Sequence, residues 1–79
     1  MPHVIVKMYP GRTVEQKDEL AQAIVDAMIK IAKCEEKSVS VAIEEIARED
    51  WIEKVYKPDI LAKKETLLIK PGYSPFDSG

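Results

Sequence analysis

Residues 3–8 alternate between apolar and polar sides. Val4, Val6 and Met8 fall on one side of an extended chain, and His3, Ile5 and Lys7 on the other. The β-branched content favours a strand, and Pro2 fits just ahead of it, where a missing N–H is tolerated. From Val14 the period lengthens. Leu20, Ile24, Met28 and Ile31 recur three or four residues apart, with Ala21, Val25, Ala27 and Ala32 widening the stripe. That spacing predicts an amphipathic helix over residues 14–33. Thr13 and Gln16 mark its start as a capping box, in which each side chain satisfies a backbone N–H of the other residue. Glu15, Asp18 and Glu19 suit the positive end of the helix dipole, and Lys30 and Lys33 the negative end. Period two returns in SVSVAIEEI, residues 38–46. Here Val39, Val41, Ile43 and Glu45 share one face; Ser40, Ala42, Glu44 and Ile46 share the other. Strand, long helix, strand is a βαβ unit. The predicted class is α/β (α+β), with two parallel strands and a right-handed crossover.

Beyond Ala47 the pattern weakens. A short C-terminal helix over residues 49–56 presents Ile52, Val55 and Tyr56 as its apolar side. Pro58 is expected to limit it, because the residue before a proline resists the α region. A further helical turn is expected over 60–65, and an extended stretch over 66–69 that pairs at a sheet edge. A second Pro-Gly turn follows at 70–73, then a loose tail, SPFDSG. Tyr73 and Phe76 read as packing or interface residues.

Length changes the picture more than composition does. The 79 residues, 46% of them apolar, read as one domain spanning 1–79. A core of fewer than about 80 residues seldom supplies more than about 3–5 kcal/mol. Cys34 is the single cysteine, so no internal disulfide can help, and one Cys with one His cannot close a structural zinc site. A homo-oligomer is the expected remedy. Two strands alone make a marginal sheet, whereas pairing with a second copy gives four strands with both helices on one face. The net charge of −2, with both signs interspersed, gives no basic face for nucleic acid or an anionic membrane. No apolar run approaches the roughly 20 residues of a membrane span. The first residues lack the basic flank and apolar core of a signal peptide. With a lone thiol, these features predict a cytoplasmic protein.

The sequence contains no Gly-rich phosphate loop and no His, Cys and carboxylate cluster with metal spacing. Serine hydrolysis needs a histidine base, and nothing frames His3 as part of a triad. The scattered carboxylates read as solvated faces. Pro2 is different. If Met1 is removed, Pro2 becomes a terminal secondary amine. Ordinary terminal amines titrate at about 7.7–8.0, and a small downward shift makes a general base suited to neutral pH. Arg12 is one of two arginines against ten lysines. It lies beside the helix N-terminus, where anions are already favoured, and its guanidinium can hold a carboxylate through two parallel bonds. The Pro10-Gly11 turn, with glycine supplying a positive φ, is expected to make Pro2 and Arg12 two halves of one site. The plainer readings are an idle proline, a solvated turn arginine and a core tryptophan at Trp51.

Pro2 before a short strand, then GRTVEQKDEL, then SVSVAIEEI, then Trp51 five residues on: in this order and spacing the chain resembles the 4-oxalocrotonate tautomerase family over essentially its whole length. The extension from Trp51 through KPGY is similar to that family's longer branch, whose members are typically dimers; the shorter enzymes are hexamers. The resemblance implies a cofactor-free and metal-free tautomerase, a keto–enol isomerase acting on a small 2-keto acid or its enol. Pro2 would be the general acid/base, Arg12 matches the arginine that holds the substrate carboxylate or an enolate oxygen, and Trp51 matches the aromatic wall of the pocket. One position departs. Ser40 stands where the hexameric enzymes carry a second arginine. A hydroxyl donates a hydrogen bond without charge, so a monocarboxylate such as phenylpyruvate enol is expected rather than a dicarboxylate such as 4-oxalocrotonate or 2-hydroxymuconate. His3, Lys7 and Arg48 are the sequence's candidates to replace the lost charge. Two alternatives stay open at this point: a non-catalytic dimeric binding module of the same fold, and a Pro2-dependent decarboxylase or dehalogenase.

Overall fold

β1 (His3–Met8) and β2 (Ser40–Glu45) lie side by side and parallel. The register pairs His3 with Ser40, Val4 with Val41, and so on to Met8 with Glu45. Paired residues of neighbouring strands point to the same face. Val4, Val6, Val41 and Ile43 therefore share one side of the sheet, and His3, Ile5, Ser40 and Ala42 the other. The structure, a computed structural model, describes residues 1–75. The chain forms two compact units, Met1–Glu45 and Ile46–Gly79.

The first unit is the expected βαβ arrangement. α1 (Val14–Ala32) connects the strands and packs beside the Val41–Ile43 side of β2. The capping box is present in full. The Gln16 N–H donates to Thr13 Oγ1 at 3.1 Å, and the Thr13 N–H donates to Gln16 Oε1 at 2.9 Å. The helix ends at Ala32 rather than Lys33. Lys33 takes the left-handed conformation (φ 61°), and the N–H groups of Lys33 and Cys34 both reach the Met28 carbonyl. One 3₁₀ turn (Glu36–Ser38) then leads into β2, so the second strand starts at Ser40 and not at Ser38.

The apolar stripe also needs correction. Leu20, Ala21, Ile24, Val25, Met28 and Ile29 are half-buried, but Ala27, Ile31 and Ala32 are exposed, Ile31 at 77%. Ala27 lies at the edge of the half-buried stripe, and length bears on Ile31 and Ala32. A 19-residue helix is about 28 Å long, whereas six-residue strands cover about 20 Å. Ile31, in the last turn, is left exposed, and Val14, in the first turn, is exposed while lining the cleft beside Val41 and Ile43.

The second unit departs further from expectation. A 3₁₀ turn (Arg48–Asp50) leads through Trp51 into a ten-residue π-helix (Ile52–Leu61). Pro58 lies inside this helix instead of limiting it. In an α-helix the proline ring collides with the carbonyl four residues back. A π-helix pairs each amide with the carbonyl five residues back, as Ala62 does with Lys57 at 2.9 Å, and the wider turn moves the conflicting carbonyl away from the ring. Val55 and Tyr56, at 4% and 7% exposure, are the buried apolar residues among those described. A second 3₁₀ turn (Lys64–Thr66) stands where the sequence predicts a helical turn over 60–65. The predicted edge strand over 66–69 is absent: among the described residues the sheet holds β1 and β2 alone. Leu67 is extended, and Leu68 and Ile69 are almost wholly exposed. Phe76 and the rest of the predicted tail after Pro75 lie outside the described residues.

Thr13→Ala is expected to lower stability by about 1 kcal/mol, the usual worth of a helix N-cap, with Thr13→Ser near neutral. Urea denaturation followed by circular dichroism measures both; equal midpoints for Thr13→Ala and the parent chain would show that the capping box contributes nothing.

Candidate active site

The first rung of the sheet sets the position of two candidate residues. The Ser40 N–H donates to the Pro2 carbonyl at 3.2 Å, so Ser40 stands directly beside Pro2. Because His3 pairs with Ser40, their side chains emerge together, on the side of the sheet away from Val41 and Ile43. His3 Nδ1 and Ser40 Oγ are hydrogen-bonded at 2.6 Å. Pro2 itself is half-buried. Met1, whose removal would free the Pro2 nitrogen, is fully exposed.

Arg12 lies at the other end of this unit. Gly11 precedes it with φ 131°, the positive value that the Pro-Gly turn calls for, and the Thr13 cap follows. The residues around it fix which end of the sheet this is. Met8 pairs with Glu45, and the Glu45 carboxylate meets Lys17 Nζ at 3.6 Å, in the opening turns of α1. Arg12 therefore sits by the Met8 and Glu45 end, and Pro2 by the His3 and Ser40 end. The length of β1, about 17 Å between its end residues, lies between them. This overturns the expectation that the turn at Pro10 and Gly11 unites Pro2 and Arg12 in one chain. The reversal comes only after the strand has run its full length, so it carries α1 back along the sheet and leaves Arg12 at the far end. Among the described residues no ion-pair partner occupies the exposed Arg12 guanidinium.

A shallow cleft of about 330 Å³ opens between α1 and β2, lined by Val14, Lys17, Asp18, Ala21, Val41 and Ile43. None of the candidate residues lines it. Trp51 belongs to the second unit. Its indole Nε1–H donates to the Tyr73 hydroxyl at 3.0 Å, and the Tyr73 ring packs against Tyr56, with centroids 5.8 Å apart and 45° between planes. The indole's one polar atom is thus occupied within its own unit, which leaves its apolar faces to define its surroundings. Among the described residues no three His, Cys, Asp or Glu side chains cluster as metal ligands, and no helix is long and apolar enough to cross a membrane.

Sequence reasoning missed two partnerships. Tyr73 reads as packing, although it is the acceptor that orients Trp51; a contact spanning 22 residues has no local signal. His3 appears only as one of three possible replacements for a missing charge. Its contact with Ser40 depends on the strand register, which alternation alone does not specify.

Comparison with known proteins adds to this geometry. Residues 2–55 match the family described as "Tautomerase enzyme". A "Probable tautomerase" of Xylella fastidiosa (strain 9a5c) is 41% identical over 78 residues, covering 99% of this chain and 95% of the relative. A "Tautomerase PptA" of Enterobacter sp. (strain 638) is 40% identical over 75 residues, covering 94% and 99%. Among solved structures, YwhB, a homologue of 4-oxalocrotonate tautomerase, superposes with a TM-score of 0.58 at 38% identity over 60% of this chain and 77% of its own. A 4-oxalocrotonate tautomerase isozyme from Methylibium petroleiphilum superposes with a TM-score of 0.59 at 31% identity over 61% and 75%.

Trp51 is the sole tryptophan, so intrinsic indole fluorescence reports on one residue. Tyr73→Phe keeps the ring against Tyr56 and removes the acceptor. The expected result is a shifted Trp51 emission maximum and a stability loss of about 1 kcal/mol, the net worth of one hydrogen bond. An unchanged spectrum in Tyr73→Phe would mean that the bond does not govern the indole.

Proposed function

The chain belongs to the 4-oxalocrotonate tautomerase family, and from that premise we propose that this isomerase interconverts the keto and enol forms of a small 2-keto acid, with the Pro2 amine as general acid/base once Met1 is removed. The observation that carries the reading is that the family match begins at residue 2, on a proline whose carbonyl is tied to Ser40 by the first rung of the sheet. The rung fixes the backbone of the residue whose nitrogen would work, and a fixed base loses little entropy in reaching its proton.

Ketonisation removes the hydroxyl proton of the enol and adds a proton at C3. The Pro2 amine would accept the first and deliver the second, and it ends the cycle unchanged, so the reaction needs no cofactor. Arg12 would hold the substrate carboxylate through paired bonds, and the Ser40 hydroxyl would donate to a substrate oxygen. With one guanidinium and one neutral donor, a monocarboxylate fits better than a dicarboxylate. Trp51 would wall the pocket, since apolar surroundings favour the neutral form of an amine.

One chain holds Pro2 and Arg12 at opposite ends of β1, so a working site would take Arg12 from a second copy. In a two-fold dimer whose sheets join with antiparallel strands, the Arg12 end of one copy lies towards the Pro2 end of the other. The same arrangement gives a four-stranded sheet. The apolar side chains that one chain leaves open, Ile5, Val14 and Ile31 among them, are suitable material for such an interface. The expected setting is the cytoplasm.

Pro2→Ala should lower the rate of phenylpyruvate-enol ketonisation by about 10²–10⁴-fold, the usual contribution of a positioned base. Protein that retains Met1 should be equally impaired, because its Pro2 nitrogen is an amide; parent-like rates in both would remove Pro2 from the mechanism. Arg12→Ala should raise KM for carboxylate substrates roughly tenfold or more, with a smaller change in kcat. Mixing Pro2→Ala and Arg12→Ala subunits should restore part of the activity, since hybrids hold one intact pair of partners. Failure of well-exchanged mixtures to regain any activity would place both residues in one chain's site or outside it.

A further inference from the structure

The hydrogen bond between His3 and Ser40 has a direction that the chemistry of the site decides. Nδ1 and Oγ stand 2.6 Å apart, close enough that one of them must donate to the other. A serine hydroxyl has one hydrogen, and a neutral imidazole carries a hydrogen on one of its two nitrogens. If Ser40 donates to Nδ1, its hydrogen is spent, and it presents only lone pairs outward. If the hydrogen lies on Nδ1, the imidazole donates to Oγ, and the hydroxyl hydrogen is free for another acceptor. A carboxylate, carbonyl or enolate oxygen only accepts. Ser40 can therefore bind such an oxygen only in the second arrangement.

We propose that His3 is a positioning residue: its Nδ1–H holds Ser40 Oγ and turns the Ser40 hydroxyl hydrogen towards an oxygen of the substrate. This rests on the reading of Pro2 and Ser40 as parts of one site. The backbone supports it from both sides. The rung from Ser40 to the Pro2 carbonyl fixes Ser40 beside the proposed base, and the register places His3 on the same face as Ser40. Both side chains are exposed, so an incoming anion can reach them. A hydroxyl whose rotor is set in advance loses less on binding than a free one. His3 thus makes a neutral side chain into a directed donor.

Three variants and one spectrum test this. His3→Phe keeps a ring and removes the donor; Ser40→Ala removes the hydroxyl. Each should lower kcat/KM for phenylpyruvate enol by up to about tenfold, the scale of one net hydrogen bond. The double variant should be no worse than either single one, because the two act as a unit. His3→Asn, which sets an amide N–H near the place of Nδ1, should recover most of the loss. His3 is the only histidine, so a ¹⁵N spectrum of the imidazole shows one ring. On adding 3-phenylpropionate, an unreactive carboxylate, the Nδ1 signal should move to the protonated position in the parent chain and stay in place in Ser40→Ala. Full activity in His3→Phe, additive losses in the double variant, or no rescue by His3→Asn would overturn the proposal. Pro2→Ala, assayed beside them, separates the two levels. If it is inactive while His3→Phe keeps full activity, the proposal alone fails; if it is fully active, the underlying reading fails and takes the proposal with it.

Discussion

The parallel pairing of β1 with β2 is the constraint on which the rest depends. Two parallel strands cannot be joined by a tight turn, so the chain must travel back over the sheet before the second strand begins. α1 is that return path. The pairing also decides which side chains meet. Its register sets His3 beside Ser40 and the Pro2 carbonyl against the Ser40 amide, while the end residues Met8 and Glu45 meet near Lys17. A shift of one residue would turn the side chains of one strand to the opposite face and separate the pair at His3.

The same topology bears on the proposed dimer. A single crossover covers one face of a two-stranded sheet and leaves the other face open. Val14 and Ile31, near the two ends of α1, are exposed. Val55 and Tyr56 are the described apolar residues that reach full burial, and both lie outside the βαβ unit. The separation of Pro2 from Arg12 points the same way from the side of chemistry. Packing and the proposed site thus ask for the same remedy, a second copy.

What the sequence made legible was local. The capping box is a spacing of three residues and was found intact at Thr13 and Gln16. Strand alternation and the helical period located β1, α1 and β2 within one or two residues at their ends. The misreadings involve geometry that extends beyond a local window. Ile31 has the right angle on the helix wheel, but its exposure depends on how far the strands reach. Pro58 is a reliable end to an α-helix, yet the π-helix removes the clash that makes it one. A bend at Pro10 and a positive φ at Gly11 stand where the sequence predicts a turn, but their consequence for Arg12 differs, because a bend gives direction and not distance. The contacts of His3 with Ser40 and of Trp51 with Tyr73 bridge 37 and 22 residues, and no pattern within a strand or a helix encodes them.

The clasp between Trp51 and Tyr73 closes a long stretch of chain. Bringing together the ends of a flexible loop of about 22 residues costs on the order of 2.7 kcal/mol, plus a constant term. The hydrogen bond and the ring contact with Tyr56 together return about 1–3 kcal/mol. The π-helix within the loop lowers the cost by fixing half of the intervening residues in advance. The balance is nevertheless narrow, and it makes this closure a natural place for the chain to open first. A protease acting on the native protein would then find its earliest cut between the helix and Tyr73, and the length and stiffness of residues 62–72 would govern how long the indole stays latched.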